Sequence, residues 1–268
     1  MIAANQRRAG LLGLREILQY RDLLYVLARR DIAVRYRQSA LGALWAVLQP
    51  LGTMAIWSVI FGRVIRIPSE GLPYPLFAFA GLLPWLFFAN TVTTASASVI
   101  NTPSLITKVY FPRMVIPLAA LGAPLLDFLV SSMLMLALCL WYGFLPSPAL
   151  LALPGLMAIA AMAAIGVGSF FAAMAVSYRD FRHVLPFTVS SWLLLTPVIY
   201  PASFVPEAWR PLLYLNPMAG VVEGIRAAWF GLPFNATGLA VSTSVAALMF
   251  VIGVWRFRSM ERRFADLV

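Results

Sequence analysis

Long runs of uncharged, mostly apolar residues alternate with short polar segments along this chain. No charged residue occurs in 38–62, 71–107, 128–178 or 227–255. A helix needs about 20 apolar residues to cross a hydrocarbon core of about 30 Å. The pattern therefore predicts an all-α membrane protein. We place six transmembrane helices at about 41–65, 75–99, 115–141, 149–176, 184–201 and 237–256.

The segment before the first span has a different pattern. Between 10 and 34, leucines alternate with charged residues at helical spacing. An amphipathic helix of this kind lies in the membrane interface, although a soluble helix docked on a partner has the same pattern. We divide the chain into a cytoplasmic interfacial segment, 1–37, and a membrane domain, 38–268. Because the first 37 residues are basic rather than apolar, we expect the first span, not a cleaved signal peptide, to direct insertion.

A proline-rich connection, 202–236, precedes the last span. Its apolar runs, 212–215 and 218–222, are each too short to cross a membrane. They predict two short re-entrant or interfacial helices on the outer face. Irregular backbone at membrane depth must pack on protein or line a wet cavity, so this connection is a candidate exit gate. The polar residues assigned to the gate are Glu207, Arg210, Asn216, Glu223 and Arg226.

Charge placement predicts the orientation. Sixteen Lys and Arg residues fall on the side that holds both termini, and four fall on the other side. Cytoplasmic segments of membrane proteins are enriched in basic residues, so both termini are predicted to be cytoplasmic. The same rule explains the net charge of +10 without nucleic acid. Only 11% of residues are charged, against about 25% in soluble domains, which excludes a large soluble domain.

Few residues suit catalysis. The chain has one histidine, one cysteine, no paired carboxylates and no GxxxxGK[ST] phosphate loop. We therefore predict a non-catalytic protein with no metal or cofactor of its own. Asp127 is the one carboxylate placed near mid-membrane. It is either a proton-transport group or a packing residue bonded to Ser, Thr or Asn of another span, and its isolation favours packing.

Aromatic residues are concentrated in spans 1, 2 and 5. Tryptophan and tyrosine often mark the membrane interface; the alternative is a channel wall of aromatic faces on which sugar rings slide. The residues assigned to that wall are Trp45, Trp57, Trp85, Phe88, Trp192 and Tyr200. On the cytoplasmic side, 103–110 is either a two-turn helix parallel to the membrane, where a motor protein would push, or an ordinary loop.

Four stretches resemble one family. The run RRDIAVRYRQSALGALWAVLQPL (29–51) is similar to the opening signature of ABC-2 type permeases that export polysaccharides. The stretches 110–128, 178–200 and 214–226 agree with it, in the family's order. The family includes membrane subunits for O-antigen, capsular polysaccharide and teichoic acid export. The resemblance covers nearly the whole chain.

This resemblance implies a homodimer in the bacterial inner membrane, with two copies of a separate cytoplasmic ATPase that holds ATP and Mg²⁺. The substrate would be a lipid-linked polysaccharide, with O-antigen as the leading candidate. It would pass between the subunits along spans 1, 2 and 5 and leave past 202–236. The 101–113 connection would meet the ATPase. Its coupling residues would be Ser104, Lys108, Tyr110, Phe111 and Arg113. Four arginines at the cytoplasmic mouth are placed to attract a diphosphate: Arg29, Arg30, Arg35 and Arg37.

Three alternatives remain open from the sequence. An ABC-2 exporter of a drug or small lipid usually has a large extracytoplasmic domain after the first span, whereas 66–74 is short. An ion-coupled secondary transporter predicts an internal repeat and several intramembrane ionisable groups. A membrane enzyme of lipid-linked sugar metabolism predicts a cluster of Asp, Glu or His on one face.

Overall fold

A computed structural model describes residues 14–37, 44–103, 105, 110–178, 180–261 and 264. This part of the chain is helical and contains no strand. In chain order the helices are α1 (Leu14–Gln19), α2 (Arg21–Arg37), α3 (Trp45–Trp57), α4 (Tyr74–Ser98), α5 (Val115–Ala119), α6 (Gly122–Trp141), α7 (Leu153–Ser177), α8 (Phe181–Leu195), α9 (Arg210–Leu213), α10 (Ala219–Phe230) and α11 (Ala236–Glu261). A π-helical turn, Ser58–Val64, continues α3, and 3-10 turns cover Pro148–Ala152 and Ala202–Phe204.

Five helical stretches in the described ranges are long and apolar enough to cross a membrane. They are Trp45–Val64, Tyr74–Ser98, Val115–Trp141, Pro148–Ser177 and Ala236–Glu261. These stretches lie at the positions of the first four and the sixth predicted spans. Their length and apolar character make the chain an integral membrane protein.

The fifth predicted span, 184–201, differs from the structure. Helix α8 has 15 residues, which is about 22 Å at 1.5 Å per residue, and it ends before Thr196. Thr196 has φ −101° and ψ 137°, because the residue before a proline is pushed out of the helical region and Pro197 follows. The prediction of a continuous helix to 201 is therefore wrong, and 196–201 is irregular.

The connection 202–236 also differs in detail from the prediction. Its first apolar run gives only the four-residue helix α9. Its second run belongs to the 12-residue helix α10, which continues to Phe230 and is buried along most of its length. Gly231 ends α10 in the left-handed conformation, with φ 69°, as glycine commonly does after a helix.

Helix α4 lies at the centre of the fold. Its membrane-length window is 83% buried, and it packs against α3, α6, α7 and α10. Helices α7 and α11 form the most extensive pairing. Their backbones meet at two glycines: a Cβ added to Gly253 would lie 1.9 Å from the Gly166 carbonyl oxygen. Such close approach of small residues is typical of helix packing in membranes.

Helix α3 contrasts with α4. Only 6% of the Trp45–Val64 window is buried, and large apolar side chains such as Ile56 and Val59 are exposed on it. Helix α8 also exposes large apolar side chains, including Phe187 and Leu194. These surfaces of α3 and α8 are therefore available to lipid or to another protein.

Candidate functional site

A cavity of about 110 Å³ lies beneath the C-terminal end of α2. Helices α3, α4 and α6 form its other walls, so α2 and three membrane helices meet there. Its polar lining consists of Arg35, Tyr36, Gln49, Asn90, Asp127 and Ser131. Its apolar lining consists of Trp45, Ala46, Pro50, Leu83, Leu86, Phe87 and Phe128.

Two residues of α2 bind the carboxylate of Asp127. Arg35 Nη2 lies 2.7 Å from Asp127 Oδ2, although the pair lacks the alignment of a hydrogen bond. The Tyr36 hydroxyl donates a hydrogen bond to Asp127 Oδ1. Burial, and then this bond to the carboxylate, raise the pKa of Tyr36 above its ordinary value. Tyr36 therefore stays protonated and remains a donor.

The partners of Asp127 differ from those expected. A bond to Ser, Thr or Asn of a neighbouring span was predicted, but α2 reaches the third span and supplies an arginine and a tyrosine instead. No periodicity in the sequence indicates this contact, because Tyr36 and Asp127 are 91 positions apart. Arg35 and Asp127 are opposite in charge, so each compensates the other.

The predicted channel aromatics separate into two groups. Trp85 is 3% exposed and Phe88 is fully buried, because both lie on the central helix α4. The Phe88 ring packs against Trp85, with ring centroids 5.5 Å apart, and edge-on against Trp192 at 5.2 Å. The prediction that Trp85 and Phe88 present faces to a channel therefore needs correction: Phe88 packs α4 against α8, and Trp85 packs on Phe88 within α4.

The other predicted aromatics keep accessible surface. Trp45 is 53% exposed at the edge of the cavity. Trp57, Trp192 and Tyr200 are partly exposed. Tyr200 donates through its hydroxyl to the Leu194 carbonyl at 3.2 Å. These residues remain available for contact with a ligand.

Arg226 is a buried cross-link. Its side chain in α10 is 2% exposed and donates to the carbonyls of Phe77 at 3.2 Å, Pro197 at 2.6 Å and Val198 at 2.5 Å. Its guanidinium carbon lies 3.7 Å from the centre of the Phe77 ring. Burial lowers the pKa of Arg226 to about 10, so the group stays charged at neutral pH.

Other side chains bind the backbone carbonyls that flank the two bound by Arg226 at Pro197 and Val198. The Asn216 amide donates to the Leu195 carbonyl at 3.2 Å and to Thr196 Oγ1 at 2.8 Å, and its oxygen accepts from Trp192 Nε1 at 3.1 Å. The Tyr74 hydroxyl donates to the Ile199 carbonyl at 2.8 Å. Irregular backbone can persist at membrane depth only with such partners.

The remaining predicted gate residues are less buried. Glu223 accepts a hydrogen bond from the Tyr214 hydroxyl at 2.8 Å, and burial raises its pKa. The Asn235 amide donates to the same hydroxyl at 2.7 Å. Glu207 is exposed and lies 3.8 Å from Arg210. The sequence alone did not indicate Tyr214 or Asn235.

Residues 22–230 match the family described as ABC-2 type transporter. This chain belongs to the ABC-2 transporter family. It is 32% identical over 259 residues to the O-antigen export system permease protein RfbA of Myxococcus xanthus, covering 95% of this chain and 98% of that protein. An RfbA of Klebsiella pneumoniae is 29% identical over 92% of this chain and 95% of its own. The polysialic acid transport protein KpsM of Escherichia coli is 25% identical over 72% and 76%. The resemblance predicted from the sequence is confirmed.

On the side of the ABC-2 chain predicted to face the ATPase, the structure describes part of the coupling segment. Ser104, Lys108 and most of the predicted helix 103–110 lie outside the described residues. Tyr110 is 80% exposed and Phe111 is buried. The Arg113 backbone N–H donates to Glu261 Oε1 at 2.9 Å, and its guanidinium donates to the Glu261 carbonyl. The segment is thus attached to the end of α11.

The four predicted entry arginines of α2 differ in whether a nearby carboxylate compensates their charge. Arg35 is compensated by Asp127, and Arg30 by its neighbour Asp31, at 2.8 Å. Arg29 is exposed and forms no ion pair with any residue of the described ranges. Arg37 ends α2, and its side chain lies outside the described part of the chain.

Proposed function

We propose that this ABC-2 chain is the permease subunit of an ATP-driven exporter of a lipid-linked polysaccharide, with O-antigen as the leading substrate. The observation that carries the proposal is the similarity to an O-antigen export permease over 95% of the chain. The polysialic acid transporter is less similar and covers less of the chain. A capsular polysaccharide is therefore the second choice.

The proposed topology has six crossings with both termini in the cytoplasm. The fifth crossing consists of α8 together with the irregular segment 196–201, whose carbonyls are bound by Asn216, Arg226 and Tyr74. The 202–236 connection then lies on the outer side as the exit gate. The excess of basic residues on the opposite side supports this orientation.

The proposed assembly is a homodimer with two ATPase subunits that bind ATP and Mg²⁺. The exposed apolar faces of α3 and α8 would meet the second copy or border the channel between copies. This chain has no phosphate loop, so hydrolysis falls to the partner. Closure of the ATPases would push 101–113, and the link from Arg113 to Glu261 would carry that motion to α11.

The proposed role of the α2 arginines follows their charge balance. Arg29 has no compensating carboxylate among the described residues, so its field would attract the diphosphate of a lipid carrier. Arg30 and Arg35 would contribute less, because each is paired with an aspartate. The short connection between Val64 and Tyr74 favours this function over export of a drug or small lipid.

Deletion and complementation test the function. A strain without this chain should lose long-chain surface polysaccharide and accumulate the lipid-linked polymer inside, and the wild-type chain should restore export. A pull-down in mild detergent should recover a phosphate-loop ATPase in equal copy number. Normal surface polysaccharide in the deletion strain, or a complex without any ATPase, would refute the proposal.

A further inference from the structure

The cavity between α2, α3, α4 and α6 has the chemistry of a carbohydrate site. We propose that it is a subsite for one uncharged sugar ring of the transported molecule, held by the amides of Gln49 and Asn90 and by the ring of Trp45. The proposal rests on the proposed polysaccharide substrate. The residues that line the cavity all belong to this chain.

Charge balance favours an uncharged ligand. Of the described residues that line the cavity, only Arg35 and Asp127 are charged, and they lie 2.7 Å apart. A phosphate placed beside Arg35 would also face the Asp127 carboxylate and would have to displace it. A neutral group can instead accept from the guanidinium and donate to the carboxylate without breaking the pair.

Two carboxamides point to a ligand with many hydroxyls. Gln49 lies on α3 and Asn90 on α4, each within a stretch of membrane-spanning length. Neither side-chain amide has a hydrogen-bond partner within the described ranges, and both line the cavity. Gln49 is exposed and Asn90 is partly exposed, so both amides are open to a ligand, and each offers two donors and an acceptor oxygen. Sugar hydroxyls supply both kinds of partner.

The aromatic wall matches the apolar face of a sugar ring. Trp45 lies one helical turn before Gln49, so the two side chains share a face of α3. About half of the Trp45 side chain is exposed, which leaves a ring face free for the C–H surface of a pyranose. The cavity volume, about 110 Å³, is below the roughly 150 Å³ of a cavity that holds one benzene. A sugar ring would therefore enter only in part and lie against Trp45 at the edge, and a length of polymer would not fit.

The test compares lipids that differ only in the sugar. The permease is purified with its ATPase in lipid nanodiscs and titrated with undecaprenyl diphosphate, bare or carrying one N-acetylglucosamine or one galactose. The readout is the concentration that half-stimulates ATP hydrolysis. Asn90→Ala and Gln49→Ala are compared with Thr93→Ala and Thr53→Ala, which remove a hydroxyl from the same helices outside the cavity.

We expect the wild-type transporter to prefer at least one sugar-bearing lipid. Loss of one neutral hydrogen bond corresponds to a roughly five-fold weaker interaction, so each amide variant should require about five-fold more of that lipid and the same amount of the bare lipid. The threonine variants should behave as wild type. Recovery of the ATPase complex at normal yield shows that each variant is folded.

Two results would overturn the subsite and leave the exporter in place. One is equal half-stimulation by bare and sugar-bearing lipids in the wild type. The other is an amide variant that assembles normally and keeps the sugar preference. A wild-type complex that responds to none of the three lipids and exports no polysaccharide would refute the proposed function itself, and the subsite with it.

Discussion

Arg35 and Asp127 form an ion pair that joins helix α2 to the third span. The Nη2–Oδ2 distance is 2.7 Å, and the Asp127 side chain is only 14% exposed. Tyr36 donates to the other carboxylate oxygen. Within the described residues, the Asp127 carboxylate is therefore the attachment point of α2, which supports a packing role over proton transport.

Removing Asp127 should loosen α2. Breaking a fully buried pair costs about 3–5 kcal/mol, but Arg35 is one-third exposed and solvent screens the pair, so we expect about 1–2 kcal/mol for Asp127→Ala. The measurement is trypsin cleavage within α2 of the purified protein, which should become several-fold faster. Ser132→Ala, in the same helix with its hydroxyl bonded to its own helix, is the control. Unchanged cleavage would show that the pair does not hold α2.

Arg226 should be among the residues least tolerant of substitution. Arg226→Ala leaves three buried carbonyls without their charged donor, at about 1–3 kcal/mol for each unsatisfied group. Arg226→Lys should be only partly tolerated, because an ammonium cannot reproduce the planar fork of a guanidinium. The measurement is the yield of monodisperse protein in mild detergent. Arg63→Ala, at an exposed arginine, should give wild-type yield, and a normal yield for Arg226→Ala would disprove the cross-link.

The close contact between the backbones at Gly166 and Gly253 should leave no room for a side chain at position 253. A Cβ on Gly253 would overlap the Gly166 carbonyl and force α7 away from α11, and overpacking of this kind costs about 1–3 kcal/mol. Gly253→Ala should lower the melting temperature of the purified protein by several degrees. Gly155→Ala, also in α7, meets open space and should be neutral or slightly stabilising. Equal melting temperatures for the two variants would contradict the close packing.

Apolar length and proline position explain which helices the sequence predicts well. Five membrane-length stretches coincide with predicted spans because an uncharged apolar run of about 20 residues is typical of a transmembrane helix. Pro197 after Thr196 also encodes the early end of α8, but the run stays uncharged to 200, so apolar length alone predicts a longer helix. The buried position of Trp85 and Phe88 could not be predicted. Helix α4 is apolar on all sides, so the spacing of its apolar residues does not indicate which side faces the protein interior.

The side-chain links of the site were beyond the sequence for another reason. Arg226 binds carbonyls of residues 28, 29 and 149 positions away. Every residue has a backbone carbonyl, so no sequence pattern indicates which ones a distant arginine binds. Gln49 and Asn90 did carry a signal, as amides inside apolar runs. That signal became informative only when the fold brought them to one cavity.

Glu261 should couple ATP hydrolysis to export. Its carboxylate accepts the Arg113 backbone N–H at 2.9 Å, so it joins the proposed ATPase-contacting segment to the end of α11. We expect Glu261→Ala to keep the ATPase bound and hydrolysing while surface polysaccharide falls, because only the bond from the Arg113 guanidinium to the backbone carbonyl of residue 261 is left to carry the push on 101–113 to α11. Glu261→Gln retains an acceptor oxygen and should restore most of the export. The measurement is surface polysaccharide per ATP hydrolysed in matched preparations of the same cells. If Glu261→Ala exports normally, or loses the ATPase as well, the Glu261 side chain does not transmit the motion of 101–113 to α11.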